Sequence, residues 1–136
     1  MEKRNEKLSH RVWIFDSGFR GICPNEISEQ ITVINQLRDK YPNVIHPRNE
    51  GKRNYNQTIK EKLEGMTTGA SDVIIPAKPA FVCELKRKDR TKSRVSDEQI
   101  KYLNHCAELG AFACVAYGHE QVAKAVKQWE LLRNKL

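Results

Sequence analysis

No apolar run in this 136-residue chain approaches the roughly 20 residues that a membrane-spanning helix requires. Its polar, charged N-terminus carries no apolar signal-peptide core. Both absences lead to the expectation of an intracellular, cytoplasmic protein. Cysteine is scarce and shows no pairing motif: Cys23, Cys83, Cys106 and Cys114 contain no C-x-x-C, and Cys83 and Cys114 sit in apolar, strand-like runs. Buried free thiols are expected, as suits a reducing compartment. His10, His46, His105 and His119 have no zinc spacing, and nothing near His105-Cys106 completes a metal site or a nucleophile. No repeat or low-complexity linker divides the chain, whose length suits one domain with a single core.

What is abundant is positive charge. Twenty-four Lys and Arg stand against 17 Asp and Glu, a net +7, in a chain that is 39% hydrophobic and 30% charged. Such an excess suits a polyanionic partner, because each phosphate neutralised releases counterions. Charge alone names no activity.

The stretch from Gly69 to Lys86 is more informative. Two apolar runs, Val73–Ile75 and Ala80–Leu85, flank Pro76-Ala77-Lys78-Pro79. Prolines at both ends of a four-residue connection suit a turn, so the pattern predicts a β-hairpin with Asp72 at the mouth of its first strand. On the second strand the period of two puts Val82, Glu84 and Lys86 on one face and Phe81, Cys83 and Leu85 on the other. Two carboxylates, Asp72 and Glu84, could hold Mg²⁺, a hard ion that prefers oxygen and keeps several waters. Leu85 would add its backbone carbonyl. Lys86 could orient or activate water, or stabilise charge on a phosphate under attack. A solvated Glu–Lys pair on a surface hairpin would give the same E-x-K by itself.

The order Gly-x-x-Asp, strand, turn, strand ending Glu-x-Lys resembles the PD-(D/E)xK nuclease superfamily, and within it the VRR-NUC domain of stand-alone phage and bacterial type. The residues that carry the resemblance are Gly69-Ala70-Ser71-Asp72, Phe81-Val82-Cys83-Glu84-Leu85-Lys86, Ser96-Asp97-Glu98-Gln99 and, upstream, Asn49-Glu50-Gly51 within Pro47–Arg53. It runs from about Glu26 to Trp129 and departs at Ser71, where many members carry proline. It implies a restriction-endonuclease-like α/β core, a mixed central sheet flanked by helices, in residues 23–136, with residues 1–22 as an N-terminal arm. It also matches Glu26 to a helical acidic residue, Gln30 to its following glutamine, and Gln99 to a residue that positions the lysine or the scissile phosphate.

The remaining segments fill in around the hairpin. Residues 1–10 are polar and expected to be loosely held; Trp13 and Phe15 would share a face if extended, before Gly18 and Gly21. Asn25 is a fitting N-cap for a helix whose Val33, Ile34 and Leu37 follow helical spacing, with Ile27 and Ile31 widening the stripe to Tyr41-Pro42. Glu26 heads that helix, with Glu29 as its rival for a place at the metal. A strand to about His46 leads into a basic loop with Arg48, Asn49, Lys52 and Arg53, and Thr58–Glu64 reads as a short helix or turn. Beyond Lys86, the run Arg87–Arg94 includes Lys88, Arg90 and Lys92, which suit a phosphate-tracking loop that is mobile before DNA binds. Ser96 and Gln99 form a capping box, a use that competes with any role for Gln99 in the site. Ile100, Leu103 and Ala107 mark its helix to Gly110. Phe112–Tyr117 predicts a third core strand, and Val122, Val126 and Trp129 a last helix from about Glu120, with Lys124 and Lys127 facing elsewhere.

The expected function is a Mg²⁺- or Mn²⁺-dependent DNA endonuclease. Asp72, Glu84, the Leu85 carbonyl and Glu26 would hold the metal, with Lys86 acting on water. The resemblance further implies a homodimer that resolves four-way DNA junctions. The other readings are an inactive basic DNA-binding module and a flap or restriction-type nuclease; for a restriction enzyme, base readout would rest on loops alone.

Overall fold

A computed structural model describes residues 5–47, 67 and 69–135. Its centre is a pair of parallel strands. β3 (Phe81–Lys86) and β4 (Phe112–Tyr117) are buried along their full length, as their near-continuous apolar sequences require of strands covered on both faces. β2 (Val73–Ile75) joins β3 antiparallel through the two-proline turn, in which Lys78–Pro79 is cis. β1 (Trp13–Phe15) runs parallel to β4 on the far edge, giving the order β1-β4-β3-β2 in a mixed sheet.

Helices cover both faces. α1 (Glu26–Arg38) and α3 (His119–Arg133) pack on one side, where Val33, Leu37, Phe81, Leu85 and Trp129 share a core. Trp129 is wholly buried, and its indole N–H donates to the Pro79 carbonyl at 2.9 Å. α2 (Asp97–Glu108) packs on the other side through Ile100 and Leu103, against Val82, Ala113 and Val115. The hairpin, the third core strand and the flanking helices are as the sequence predicts.

Four features differ from the expectations. The chain's first segment is built into the fold: Trp13–Phe15 supplies an edge strand, with both rings against Phe112, and Leu8 and Val12 are buried under α2. Asn104 fastens it further, accepting from the Ser9 N–H at 2.8 Å and donating to the Lys7 carbonyl at 2.9 Å. On α1 the buried arc is Glu29, Gln30, Val33 and Leu37, whereas Ile27 and Ile31 are 68% and 58% exposed. At 3.6 residues per turn, Ile31 lies about 200° round from Val33, on the opposite side. The strand expected near His46 is a single bridge, Ile45 to Ile74. Finally, the segment after Lys86 is folded, with a 3₁₀ turn at Arg90–Lys92. The segment Thr58–Glu64 lies outside the described residues.

Gly69 sets how α2 meets the hairpin. Its φ is +79°, and a Cβ there would lie 2.4 Å from the Glu98 carbonyl oxygen, a backbone atom with little room to move. Gly69→Ala should therefore destabilise the fold by at least about 2 kcal/mol, measured by urea denaturation, since both the left-handed conformation and the clash must be accommodated. A loss below a few tenths would show that the helix can retreat from the hairpin.

Candidate active site

The hairpin register sets the first carboxylate beside the second. Val73 pairs with Cys83, so the next residues along, Asp72 and Glu84, lie alongside each other where the two strands end. Asp72 is fixed at both oxygens. Oδ2 accepts the Leu85 N–H at 2.9 Å, and Oδ1 accepts from the Gln30 amide at 3.1 Å. The Leu85 side chain enters the core shared with α1 and α3.

Glu84 is 1% exposed and Lys86 4%, which excludes the solvated surface pair. Lys86 Nζ stands 3.6 Å from Glu84 Oε2 and 3.8 Å from Glu26 Oε1. The four predicted charged groups, Glu26, Asp72, Glu84 and Lys86, thus converge at one end of β2 and β3. Glu26 is the most open of them, its side chain about a third exposed. Its rival Glu29 is committed elsewhere. Buried between helices, it accepts both the backbone N–H of His119 and a contact from the His119 ring. In effect it caps α3, whose own N-cap, Gly118, offers no side chain.

Gln99 reconciles two uses that seemed to compete, because an amide has two ends. Its Oε1 accepts the Ser96 N–H at 2.8 Å, completing the capping box, while its Nε2 donates to Glu84 Oε2 at 3.1 Å. Gln99→Glu keeps the capping acceptor, loses the donor and sets a second carboxylate against Glu84. Thermal melts should show stability within about 0.5 kcal/mol of wild type near pH 4, but a loss above about 1 kcal/mol at pH 8. Equal losses at both pH values would mean the amide matters to the helix alone.

The electrostatics are unbalanced in one direction. Burial, then the negative charge of Asp72, push the Glu84 carboxyl well above the ordinary carboxylate range, and Lys86 offsets only part of this. As a carboxylate, Glu84 has a buried oxygen, Oε1, that no donor meets, and its neighbour Asp72 can bond to it only when one of the two is protonated. A buried acceptor left unmatched costs about 1–3 kcal/mol. Among the described residues, no three His, Cys, Asp or Glu side chains group as a complete metal cage. Two adjoining carboxylates with an unmatched oxygen nonetheless fit a hard divalent cation that takes few protein ligands and keeps several waters.

The basic residues after Lys86 divide by task. Lys88 pairs with Glu120 at 3.5 Å and lies over the Phe19 ring. Arg90 pairs with Asp16 at 3.3 Å and covers Tyr117. Lys92 is exposed on the 3₁₀ turn. Arg48, Asn49, Lys52 and Arg53 lie outside the described residues. Two neighbours play parts that the sequence reading did not assign. Arg87 donates to the Pro24 and Cys23 carbonyls, and Asp89 accepts the Gly21 N–H, together tying the lead-in of α1 to the strand that bears Lys86. Thr91 and Gly21 hold the Asp89 carboxyl down at about 2, so it stays ionised. Their only trace in the sequence is a charge run that reads equally as a solvated loop.

A mixed α/β sheet ending in two carboxylates and a lysine defines the class of fold. That fold is also seen in a solved structure described as a VRR_NUC domain protein, which matches with a TM-score of 0.63 and 21% identity, over 81% of this chain and 89% of that one. The chain therefore has the fold of a VRR-NUC domain. No family model and no curated protein matches its sequence.

Proposed function

We propose that the protein is a Mg²⁺- or Mn²⁺-dependent DNA endonuclease. One observation carries this reading: Asp72, Glu84 and Lys86 are buried together at the strand ends, with Glu84 Oε1 unmatched. The shared fold with a VRR_NUC domain protein and the net charge of +7 support it.

Hydrolysis of a phosphodiester needs a placed water, charge neutralised at phosphorus and a stabilised leaving oxygen. Asp72, Glu84 and the Leu85 carbonyl would hold the metal, with Glu26 reaching it directly or through water. When bound, the ion supplies Lewis-acid stabilisation of phosphate charge. Lys86, which lies between Glu84 and Glu26, would orient the attacking water or meet the developing negative charge. Gln30 and Gln99 hold the carboxylates, each spending one amide N–H on a carboxylate oxygen. Lys88, Arg90, Lys92 and the 48–53 segment would track the DNA backbone.

Within this activity we favour branched DNA and a homodimer, as for a Holliday-junction resolving enzyme, since a two-fold pair of sites cuts two strands symmetrically. The setting would be a cytoplasm. Among the described residues no helix is long and apolar enough to cross a membrane. The test is cleavage of labelled four-way junction, flap and linear duplex DNA. Paired symmetric nicks in the junction, with a dimer in sedimentation, are expected. Cutting of flap or linear duplex in preference would discard the junction, and tight binding with no cutting of any substrate would leave an inactive DNA-binding module.

A further inference from the structure

Beside the carboxylate–lysine cluster, on the same face of the sheet, lies a cavity of about 290 Å³. Register fixes its position. Val115 and Tyr117 line it and are the β4 partners of Glu84 and Lys86, while Ile14 of β1, also in the wall, pairs with Val115. Neighbouring strands lie about 4.8 Å apart, so the cavity begins one strand away from the cluster.

Its lining is of two kinds. Leu8, Ile14 and Val115 are apolar, whereas Arg94 is exposed at the polar margin contributed by the segment after β3. Arg90 is held by Asp16 with its guanidinium 5.6 Å from the Tyr117 ring centre, which fixes that wall. Ser93 completes the margin, and its Oγ is buried with no hydrogen-bond partner. A hydroxyl so placed is costly unless an incoming group satisfies it.

We propose that this cavity receives the unpaired base of a nucleotide flanking the scissile phosphate, with Arg94 on the adjoining phosphate and Ser93 Oγ bonding the base edge. The proposal rests on the nuclease reading of the neighbouring cluster. Apolar walls beneath an arginine margin suit single-stranded nucleic acid, whose bases offer a π-face and whose phosphates offer charge. A paired base must first leave its stack, at a cost of a few kcal/mol. The cavity therefore favours DNA that is unpaired beside the cut, as at a flap or where a branch point opens, over continuous duplex.

Two substitutions test it: Ile14→Trp fills the cavity, and Ser93→Ala removes the hydroxyl with little risk to folding. Wild type should cut a branched substrate with a normal unpaired base beside the cut on the order of tenfold faster than the same substrate made abasic there. The ratio should fall to near one in Ile14→Trp and by several-fold in Ser93→Ala. Equal wild-type rates on the two substrates, or an unchanged ratio in both variants, would overturn the proposal. A second readout needs no cleavage. In chelator, fluorescence anisotropy should show oligothymidylate binding wild type more tightly than an abasic strand of equal length, with that preference lost in the variants. The binding preference without any cutting would sink the nuclease reading and keep the base pocket; cutting without the preference would do the reverse.

Discussion

Asp72→Asn is expected to lower DNA cleavage by at least about 10³-fold while leaving DNA affinity within a few-fold of wild type. The size of the effect follows from what Asp72 does. It is one of the two buried carboxylates that adjoin Lys86, and asparagine carries no charge with which to hold a cation. Asparagine also keeps an oxygen for the Leu85 N–H, now bonded to Oδ2, so the hairpin survives better than it would in Asp72→Ala. Loss of the bond from Gln30 then leaves α1 tied through Arg87 and through Glu29. Gel-shift binding and single-turnover cleavage separate the two effects. An Asp72→Asn enzyme that cuts at the wild-type rate would remove the carboxylates from the chemistry.

The second large effect is on stability, and it comes from Glu84. Its folded pKa is raised by burial and by Asp72, above an unfolded value of about 4.3. Between those two values the native state binds more protons than the unfolded one, so stability falls as pH rises through that window. Above the folded value the full cost of the buried charge is present. Glu84→Gln removes the titrating group, so the metal-free variant should melt higher than wild type at pH 8 and lose that segment of the pH dependence. A divalent cation should act oppositely on wild type. Mn²⁺ at a hundredfold excess over its Kd should raise the wild-type Tm by on the order of 10 °C, and more weakly at pH 5 where the proton competes. Glu84→Gln should gain little. A variant that melts lower than wild type without metal, and responds to Mn²⁺ as wild type does, would mean that Glu84 is a structural acceptor.

The hairpin and its chemical set were legible because two local rules coincide there. Prolines at both ends of the turn mark where the strands stop, and period two then assigns Glu84 and Lys86 to one face. The capping box was legible for the same local reason, although its second use, the bond from Gln99 to Glu84, needed the third dimension. Glu26 and Glu29 could not be separated by pattern, since three residues on a helix place them only about 60° apart. What separates them is His119, 90 positions away from Glu29, which claims that residue for the start of α3. The ion pairs of the basic run after Lys86 were not legible for a related reason. Its charges look solvated in sequence, yet Arg90 meets Asp16 across 74 positions and Lys88 meets Glu120 across 32. Partners so distant leave no local signal. β1 was missed as a sheet member because three residues carry too little periodicity to announce a strand, and its pairing with β4, Trp13 to Cys114, spans 101 positions.

The most direct test is cleavage of a labelled four-way junction by wild type and Lys86→Ala, each in Mg²⁺, in Mn²⁺ and in chelator. Cutting by wild type with either ion, none in chelator and none by Lys86→Ala under any condition is the predicted result. Cutting that persists in chelator, or equal cutting by Lys86→Ala, would contradict a metal-dependent nuclease centred on Asp72, Glu84 and Lys86.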